Sequence, residues 1–166
     1  MADKFQNRVL VLGGGSVAQT VVPLLIEHEV NADQITIVDM RDTRERFRDS
    51  IAKGAKYVTD ELTQANMSTF LSKYLKAGDF LLDLAWNIDA IVIIEWCRNA
   101  GVRYLNTSVE VWEPYADVEK QPPASRTLYH RHMALRAAMR SWGNNSGPSA
   151  ILEHGANPGW VSHEAK

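Results

Sequence analysis

A glycine-rich turn between a short apolar run and a helical pattern constrains the fold of this chain more than any other feature. The apolar run at 9–12 leads into Gly13, and a segment with helical spacing begins at Ser16. In a strand–turn–helix unit of this kind, Gly13 permits the tight turn, Gly15 lets a pyrophosphate approach the backbone, and Ala18 keeps the helix close to the sheet. The free N–H groups at the helix start attract phosphate. The turn therefore predicts a dinucleotide site.

Short apolar runs alternate with longer helical patterns along the chain, which is typical of a parallel sheet covered by helices. Several runs are apolar at every position, as expected for strands buried on both faces. Six strands are predicted, at Arg8–Leu12, Ile35–Asp39, Ala55–Val58, Phe80–Leu84, Arg103–Asn106 and Ala150–Glu153. The expected fold is α/β, a Rossmann-type doubly wound parallel sheet of about six strands in the order 3-2-1-4-5-6. Residues 1–166 are expected to form one domain.

Five helices are predicted in the intervals between these strands. They are expected at Ser16–His28, Thr43–Lys53, Met67–Lys76, Ile88–Ala100 and Arg126–Trp142. Asn87 is a residue type that caps helix starts, so we expect it to cap the fourth helix. Gly101 follows that helix, where a left-handed residue is favoured. Pro23 lies inside the first helix and removes one of its hydrogen bonds.

Asp39 ends the second predicted strand and gives the glycine turn an acidic partner. Its separation from the turn is that at which a carboxylate meets the adenosine ribose of a bound dinucleotide. A carboxylate there accepts a hydrogen bond from the 2′-hydroxyl of NAD and repels the 2′-phosphate of NADP, so NAD is favoured. Arg41 lies close by and leaves NADP open. The structural alternative is a tight turn followed by an exposed aspartate that binds nothing.

Polar and acidic side chains follow the fourth, fifth and sixth predicted strands, in the segments 83–89, 106–113 and 153–159. In a parallel sheet these strand ends meet at one edge, which is where ligands bind. Carboxylates pair with ammonium groups, and the face of an indole attracts a cation, so this edge is predicted to suit a cationic substrate. Trp86 and Trp112 are equally consistent with partly buried packing residues.

The acidic and amide residues of this edge also have structural interpretations. Asp89 falls in a first helical turn, where an acid favours the helix dipole. Glu110 and Glu113 lie in a long polar loop, where carboxylates are usually solvated, and Asn157 lies in a turn. Asp83 lies inside an apolar strand and is expected to make structural hydrogen bonds.

The composition argues against several classes of function. The chain has 18 Lys and Arg against 20 Asp and Glu, so it lacks the basic surface of a nucleic-acid-binding protein. Its apolar runs are too short to span a membrane, and its first residues do not resemble a secretory signal. The histidines lack metal-ligand spacing. Cys97, the single cysteine, is expected to be an inert buried thiol in a reducing compartment. We therefore expect a cytoplasmic domain that binds no metal.

Four segments carry a more specific signal than the glycine turn alone. They are Val9–Val17, Leu82–Asn87, Tyr104–Pro114 and Glu153–Gly159. Together they resemble the bacterial homospermidine synthases, which belong to the saccharopine-dehydrogenase-like group. Many families share the first segment, whereas the tryptophan-containing segments are much more specific. The resemblance spans nearly the whole chain.

The resemblance implies an enzyme in which tightly held NAD is a recycled hydride carrier. A primary amine of putrescine or a related diamine is oxidised to an imine, and ammonia is then lost. A second diamine attacks, and the new imine is reduced to homospermidine with no net redox change. The protein would hold the diamine carbon against the nicotinamide and exclude bulk water.

The resemblance also implies roles for residues of this chain. The adenine half of NAD would be held by Gly13, Gly15, Ser16, Val17 and Asp39. The ribose and nicotinamide half would be lined by Ala85, Trp86, Thr107 and Asn157. The ammonium groups of the diamine would pair with Asp89, Glu110 and Glu113. The catalytic residues would be Glu110, Glu113 and Asn157.

Members of this family are considerably longer than 166 residues. They carry a second domain that builds much of the substrate site and the dimer contact. The chain therefore resembles the N-terminal NAD-binding domain alone, which we expect to bind NAD without turnover. The complete enzyme would be a homodimer through the other domain.

Two alternatives to this enzyme stay open. One is another NAD(P)-dependent amine or amino-acid oxidoreductase of the same group, such as saccharopine dehydrogenase. Substrates of those enzymes carry carboxylates and call for arginines at the strand ends, whereas the loops here offer mainly Asn, Thr, Glu and Trp. The other is a non-catalytic domain that senses NAD(H), which has no need for carboxylates and tryptophans after the fifth strand.

Overall fold

The computed structural model of the chain describes residues 5–28, 30–116, 118–143 and 146–153. Their strands form one parallel sheet in the order β3-β2-β1-β4-β5-β6. The strands are β1 Val9–Leu12, β2 Ile35–Asp39, β3 Lys56–Thr59, β4 Phe80–Asp83, β5 Arg103–Asn106 and β6 Ala150–Ile151. The predicted Rossmann-type order is confirmed. The order in which successive strands are added to the sheet reverses between β1 and β4.

The helices lie close to their predicted positions, and their ends differ by one to several residues. They are α1 Ser16–Glu27, α2 Arg48–Ala52, α3 Met67–Tyr74, α4 Ala90–Ala100 and α5 Leu128–Ser141. The prediction of one helix at Thr43–Lys53 is wrong, since a 3₁₀ turn at Arg44–Phe47 precedes the short α2. The buried Phe47, with ψ 16°, separates the two.

The predicted cap of α4 is also wrong. Asn87 has φ 60°, a left-handed conformation that does not suit the extended backbone of a helix N-cap. Asp89 caps the helix instead, and its Oδ1 accepts from the N–H groups of Ile91 and Val92 at 2.9 and 3.2 Å. The helix therefore starts at Ala90, two residues later than predicted, and ends as expected at left-handed Gly101.

Two apolar clusters lie on opposite faces of the sheet. Alternate residues of β1 divide between them, with Leu10 and Leu12 in one and Val9 and Val11 in the other. The first cluster packs α3 and α4 on the sheet, and the second packs α1, whose Ala18 is fully buried. These layers explain why β1, which lies between them, is apolar and buried at every position.

The strand register aligns the carboxyl ends of the strands in one row. Leu12 pairs with Val38 on one side and with Asp83 on the other, and Asp83 pairs with Asn106. The predicted β6 at 150–153 is shorter than expected. Glu153 leaves the ladder with φ 54° and donates its N–H to the Asn106 side chain at 3.0 Å. The loops that follow these ends share one edge of the sheet.

Candidate functional site

A cleft of about 590 Å³ runs along the carboxyl ends of the strands. It passes over the reversal point between β1 and β4, where dinucleotides bind in sheets of this order. Among the predicted site residues, those that line it are Gly13, Gly15, Asp39, Ala85, Trp86 and Glu113. The described residues Ser16, Val17, Thr107, Asp89 and Glu110 are not part of its lining, and Asn157 lies outside the described residues.

The glycine turn has no room for side chains on its inner side. Gly13 has φ 92°, and a Cβ atom there would lie 2.9 Å from the carbonyl oxygen of Leu84. A Cβ on Gly15 would meet nothing within 4 Å, and no side chain caps the start of α1. Open space therefore faces the positive end of α1, which fits a phosphate group.

Asp39 is tied to the glycine turn through its carboxylate. Its Oδ2 accepts from the N–H of Gly14 at 2.6 Å, and its Oδ1 accepts from the N–H of Arg41 at 2.8 Å. Each oxygen keeps a further lone pair for a ribose hydroxyl. The phenol of Tyr57 fixes the segment that follows β2 by donating to the carbonyl of Arg41 at 2.8 Å. The carboxylate is thus held rigidly at the wall of the cleft.

Two further acids at this end of the cleft were missed by sequence reasoning. Asp60 and Glu61 follow β3 and line the cleft beside Asp39. A hydrogen bond from Lys73 at 3.0 Å lowers the pKa of Asp60. Their loop shows no motif, and only the register of β3 against β2 brings it beside Asp39. The end of the cleft beside Asp39 therefore carries three carboxylates and the cation Arg41.

The loop after β4 carries an exposed tryptophan and a strained asparagine. Trp86 is 67% exposed, and its ring packs edge-on to Tyr115 with centroids 6.3 Å apart. Asn87 is in the left-handed region, and its side-chain oxygen is buried without a hydrogen-bond partner. Both Trp86 and Asn87 line the cleft. The loop thus offers an aromatic face and an unused acceptor.

The loop after β5 also contains a residue with positive φ and an unpaired buried polar atom. Glu113 is exposed and has φ 46°, which is rare for a residue with a long side chain. The neighbouring Trp112 has a buried indole N–H without a partner. Both residues line the cleft. Strain and unpaired polar atoms cluster at functional sites, so this half of the cleft is marked as a site.

Glu110 is already paired within the chain. Its Oε1 accepts from the Ser108 hydroxyl at 2.9 Å, and its Oε2 lies 3.4 Å from Arg131 of α5. Arg131 also donates to the carbonyl of Val109 at 2.9 Å. Sequence reasoning did not identify Arg131 as a partner, because 21 residues separate it from Glu110.

A chain of buried hydrogen bonds lies beneath the cleft. The Tyr104 hydroxyl donates to Asp83 Oδ2 at 2.8 Å and accepts from Asn106 Nδ2 at 2.9 Å. Asp83 also accepts from the N–H of Ala85 at 3.2 Å. Burial, opposed by these hydrogen bonds, raises the pKa of Asp83 to about 6. The expected structural role of Asp83 is confirmed, and the chain joins the cleft-lining loop at Ala85 to Glu153.

Other chemistry is weakly represented in the described part of the chain. Cys97 is buried, as predicted, and burial raises the pKa of its thiol far above the ordinary value. Across residues 5–28, 30–116, 118–143 and 146–153, no group of three or more acids, histidines or cysteines is placed to hold a metal ion. No helix in these same ranges is long and apolar enough to cross a membrane.

Comparisons with known proteins agree on one group. Homospermidine synthase of Mesorhizobium japonicum is 31% identical over 160 residues, covering 93% of this chain and 32% of that protein. The enzyme of Blastochloris viridis is 27% identical over 163 residues, covering 96% and 33%. The solved homospermidine synthase of Legionella pneumophila, in complex with NAD, superposes with a TM-score of 0.76 at 28% identity. That match covers 98% of this chain and 33% of that one.

The chain thus spans about a third of the length of the curated relatives that it matches. Its residues 9–151 match the family model of the saccharopine dehydrogenase NADP binding domain. That range begins with β1 and ends with β6, so it contains the whole sheet and the cleft. The chain therefore belongs to the saccharopine dehydrogenase NADP-binding domain family.

Proposed function

We propose that this chain is the NAD-binding unit of a homospermidine synthase. The observation that carries the proposal is the cleft itself, in which an open glycine turn and an anchored Asp39 meet at the reversal point of the sheet. The likeness to relatives with that printed name supports the identity of the complete enzyme.

The chain holds the dinucleotide by groups that are already in place. The N–H groups at Ser16 and Val17 start α1 without a side-chain cap and receive the pyrophosphate, which passes Gly15. Asp39 accepts from the adenosine ribose while its bond to Gly14 keeps it oriented. Ala85 and Trp86 line the other half of the cleft. Thr107, which is not part of the lining, and Asn157, which lies outside the described residues, remain predicted contacts of the nicotinamide half.

NAD rather than NADP is proposed, because the adenine end of the cleft is acidic. Asp39, Asp60 and Glu61 all line that end and repel the 2′-phosphate of NADP. Arg41 also lines it and is the single lining cation among the described residues. Lys73, outside the lining, pairs with Asp60. The three carboxylates outnumber these two cations, and Asp39 is the acid tied to the glycine turn.

The substrate proposed for the complete enzyme is putrescine or a related diamine. The dinucleotide held by the cleft would supply the hydride-transfer chemistry of this reaction. Glu113 is the predicted substrate residue that lines the cleft, and its carboxylate is exposed for an ammonium group. Glu110, which is not part of the lining, is oriented by Ser108 and Arg131 and would be a second partner for an ammonium group. Asp89, Asn157, the homodimer and the cytoplasmic location remain predictions of the same proposal.

Calorimetric titration of the 166-residue chain tests the cofactor. We expect NADH to bind at least about tenfold tighter than NADPH, because like charges in a partly buried site repel strongly. Asp39→Ser should weaken the binding of NADH and reduce the difference in affinity between NADH and NADPH. Asp42→Ser is the matched control, since Asp42 is an exposed acid outside the cleft lining that pairs with Arg44. Absence of binding, or tighter binding of NADPH, would contradict the proposal.

Putrescine turnover by the complete enzyme with catalytic amounts of NAD tests the substrate. Glu113→Gln should raise the KM for putrescine by about tenfold or more, because it removes the charge that pairs with an ammonium group. The affinity for NAD should stay unchanged. An unaltered KM would remove Glu113 from the substrate site.

A further inference from the structure

Two side chains that line the cleft each have a polar atom that is shielded from water and lacks a hydrogen-bond partner. These atoms are Oδ1 of Asn87, after β4, and Nε1 of Trp112, in the loop after β5. Unpaired buried polar atoms are rare in folded chains because each loses its hydrogen bonds to water without replacement. A ligand that supplies the missing partners therefore binds with an advantage at this place.

The two atoms have opposite hydrogen-bonding characters, which restricts the ligand. Asn87 Oδ1 only accepts, and Trp112 Nε1 only donates. An ammonium group offers donors alone and a phosphate offers acceptors alone, so neither satisfies both atoms. A primary carboxamide offers an NH₂ donor and a carbonyl acceptor on one carbon.

From this complementarity we propose that Asn87 and Trp112 recognise the carboxamide of the nicotinamide ring. The inference rests on the proposed function, since it assumes that a nicotinamide dinucleotide occupies the cleft. With Asp39 at the adenine ribose, the nicotinamide half extends over the β4 and β5 loops, from which these residues come. Asn87 accepts from the carboxamide NH₂, and Trp112 donates to the carboxamide oxygen.

The structure favours such pairing on energetic grounds. Both side chains line the cleft, but their unpaired atoms are turned away from water. Each side chain must therefore rotate before its unpaired atom can contact a ligand. Because neither atom has a partner here, the rotation breaks no hydrogen bond at either atom. The left-handed backbone of Asn87 is tolerated by Asn and Gly, so this position can be truncated without added strain.

Three ligands distinguish the carboxamide contacts from the rest of the dinucleotide. They are NAD, its 3-acetylpyridine analogue, in which a methyl group replaces the carboxamide NH₂, and ADP-ribose, which lacks the ring. The chain should bind NAD about tenfold tighter than the analogue, which is the size expected for one buried hydrogen bond. Asn87→Gly should abolish this preference, and Asn87→Asp, which keeps an acceptor, should retain it.

Trp112→Phe should weaken the binding of NAD and of the analogue alike by about fivefold to tenfold, since both ligands keep the carbonyl oxygen to which the indole N–H donates. Trp96→Phe is the control, because Trp96 packs against the core and does not line the cleft. Binding of ADP-ribose should be the same in all variants. The inference is overturned if Asn87→Gly still prefers NAD to the 3-acetylpyridine analogue. It is also overturned if a variant loses as much affinity for ADP-ribose as for NAD. Failure of the unaltered chain to bind either NAD or ADP-ribose instead overturns the proposed function and this inference with it.

Discussion

The two ends of β4 each carry a buried aspartate, and the two have opposite surroundings. At the amino end, the fully buried Asp79 accepts from the guanidinium of Arg8 at 2.7 and 2.8 Å and from two backbone N–H groups. At the carboxyl end, Asp83 is 5% exposed and accepts from the Tyr104 hydroxyl and one backbone N–H. No cation in the described part of the chain forms an ion pair with Asp83.

This difference indicates that the amino end of β4 contributes to the stability of the fold, whereas its carboxyl end lies where a ligand binds. The amino edge of the sheet is paired within the chain, so Asp79 contributes to folding alone. The carboxyl edge keeps an uncompensated buried carboxylate, strained residues at Asn87 and Glu113, and the unpaired indole N–H of Trp112. Such features lower the stability of a domain and are retained where a ligand binds. The comparison predicts that substitutions at the two edges affect different measurements.

The largest effect is expected at Asp79. Asp79→Ala leaves two backbone N–H groups and the Arg8 guanidinium without the buried carboxylate that accepts from them, so the free energy of unfolding should fall by roughly 3–4 kcal/mol. Urea denaturation measures the change. Asp42→Ala, at an exposed acid, should leave stability unaltered. If the folded Asp79→Ala chain lost NADH affinity while keeping its stability, the separation of the two edges would be wrong.

The order of the sheet was predictable because it follows from local features of the sequence. Apolar runs such as Val9–Leu12 and the glycine turn report local preferences, and these fix each strand and its neighbouring helix. The start of α4 shows the limit of such local prediction. Asn87 and Asp89 are both residue types that cap helices, and only the left-handed conformation of Asn87 decides between them.

The site was predictable only where its residues follow the strand ends directly. Asp39 and Trp86 were identified in this way, and both line the cleft. The partners of Asp83 and Glu110 were not predictable, because Tyr104 and Arg131 lie 21 residues away and no local pattern records such a pairing. Long-range hydrogen bonds depend on packing, which the sequence pattern does not state.

The second effect is a dependence of stability on pH. The pKa of Asp83 is about 6 in the folded chain against an ordinary value of 3.8, so the folded state binds the proton more tightly. Its contribution is present below pH 3.8 and is lost as pH rises through about 6. The unaltered chain should therefore lose about 2–3 kcal/mol relative to Asp83→Asn between pH 4 and pH 7.

Tyr104→Phe sharpens this test. It removes a hydroxyl that donates to the Asp83 carboxylate and lowers its pKa, so the midpoint of the pH dependence should move above 6. Chemical denaturation at a series of pH values measures both variants. Parallel stability curves for the unaltered chain and Asp83→Asn would mean that this carboxylate is compensated as fully as Asp79.

The third test compares two glycines of the turn. Gly13→Ala forces φ 92° on a residue with a Cβ only 2.9 Å from a carbonyl oxygen, so we expect a loss of about 2 kcal/mol in unfolding free energy. Gly15→Ala meets no atom within 4 Å and should change stability by less than about 1 kcal/mol. The added methyl instead occupies the space of the pyrophosphate, so NADH affinity should fall at least tenfold. Equal stability losses in the two variants would contradict this division.

The smallest effect is expected at Asp89, where structural and substrate-binding interpretations compete. One of its oxygens accepts from two N–H groups at the start of α4, so Asp89→Ala should cost about 1 kcal/mol of unfolding free energy. Asp89→Asn keeps a capping oxygen and should preserve stability while it removes the charge. In the complete enzyme, an unchanged KM for putrescine in Asp89→Asn would assign Asp89 to the helix cap alone. A raised KM with preserved stability would assign it to the diamine as well, because only the ammonium group responds to the lost charge.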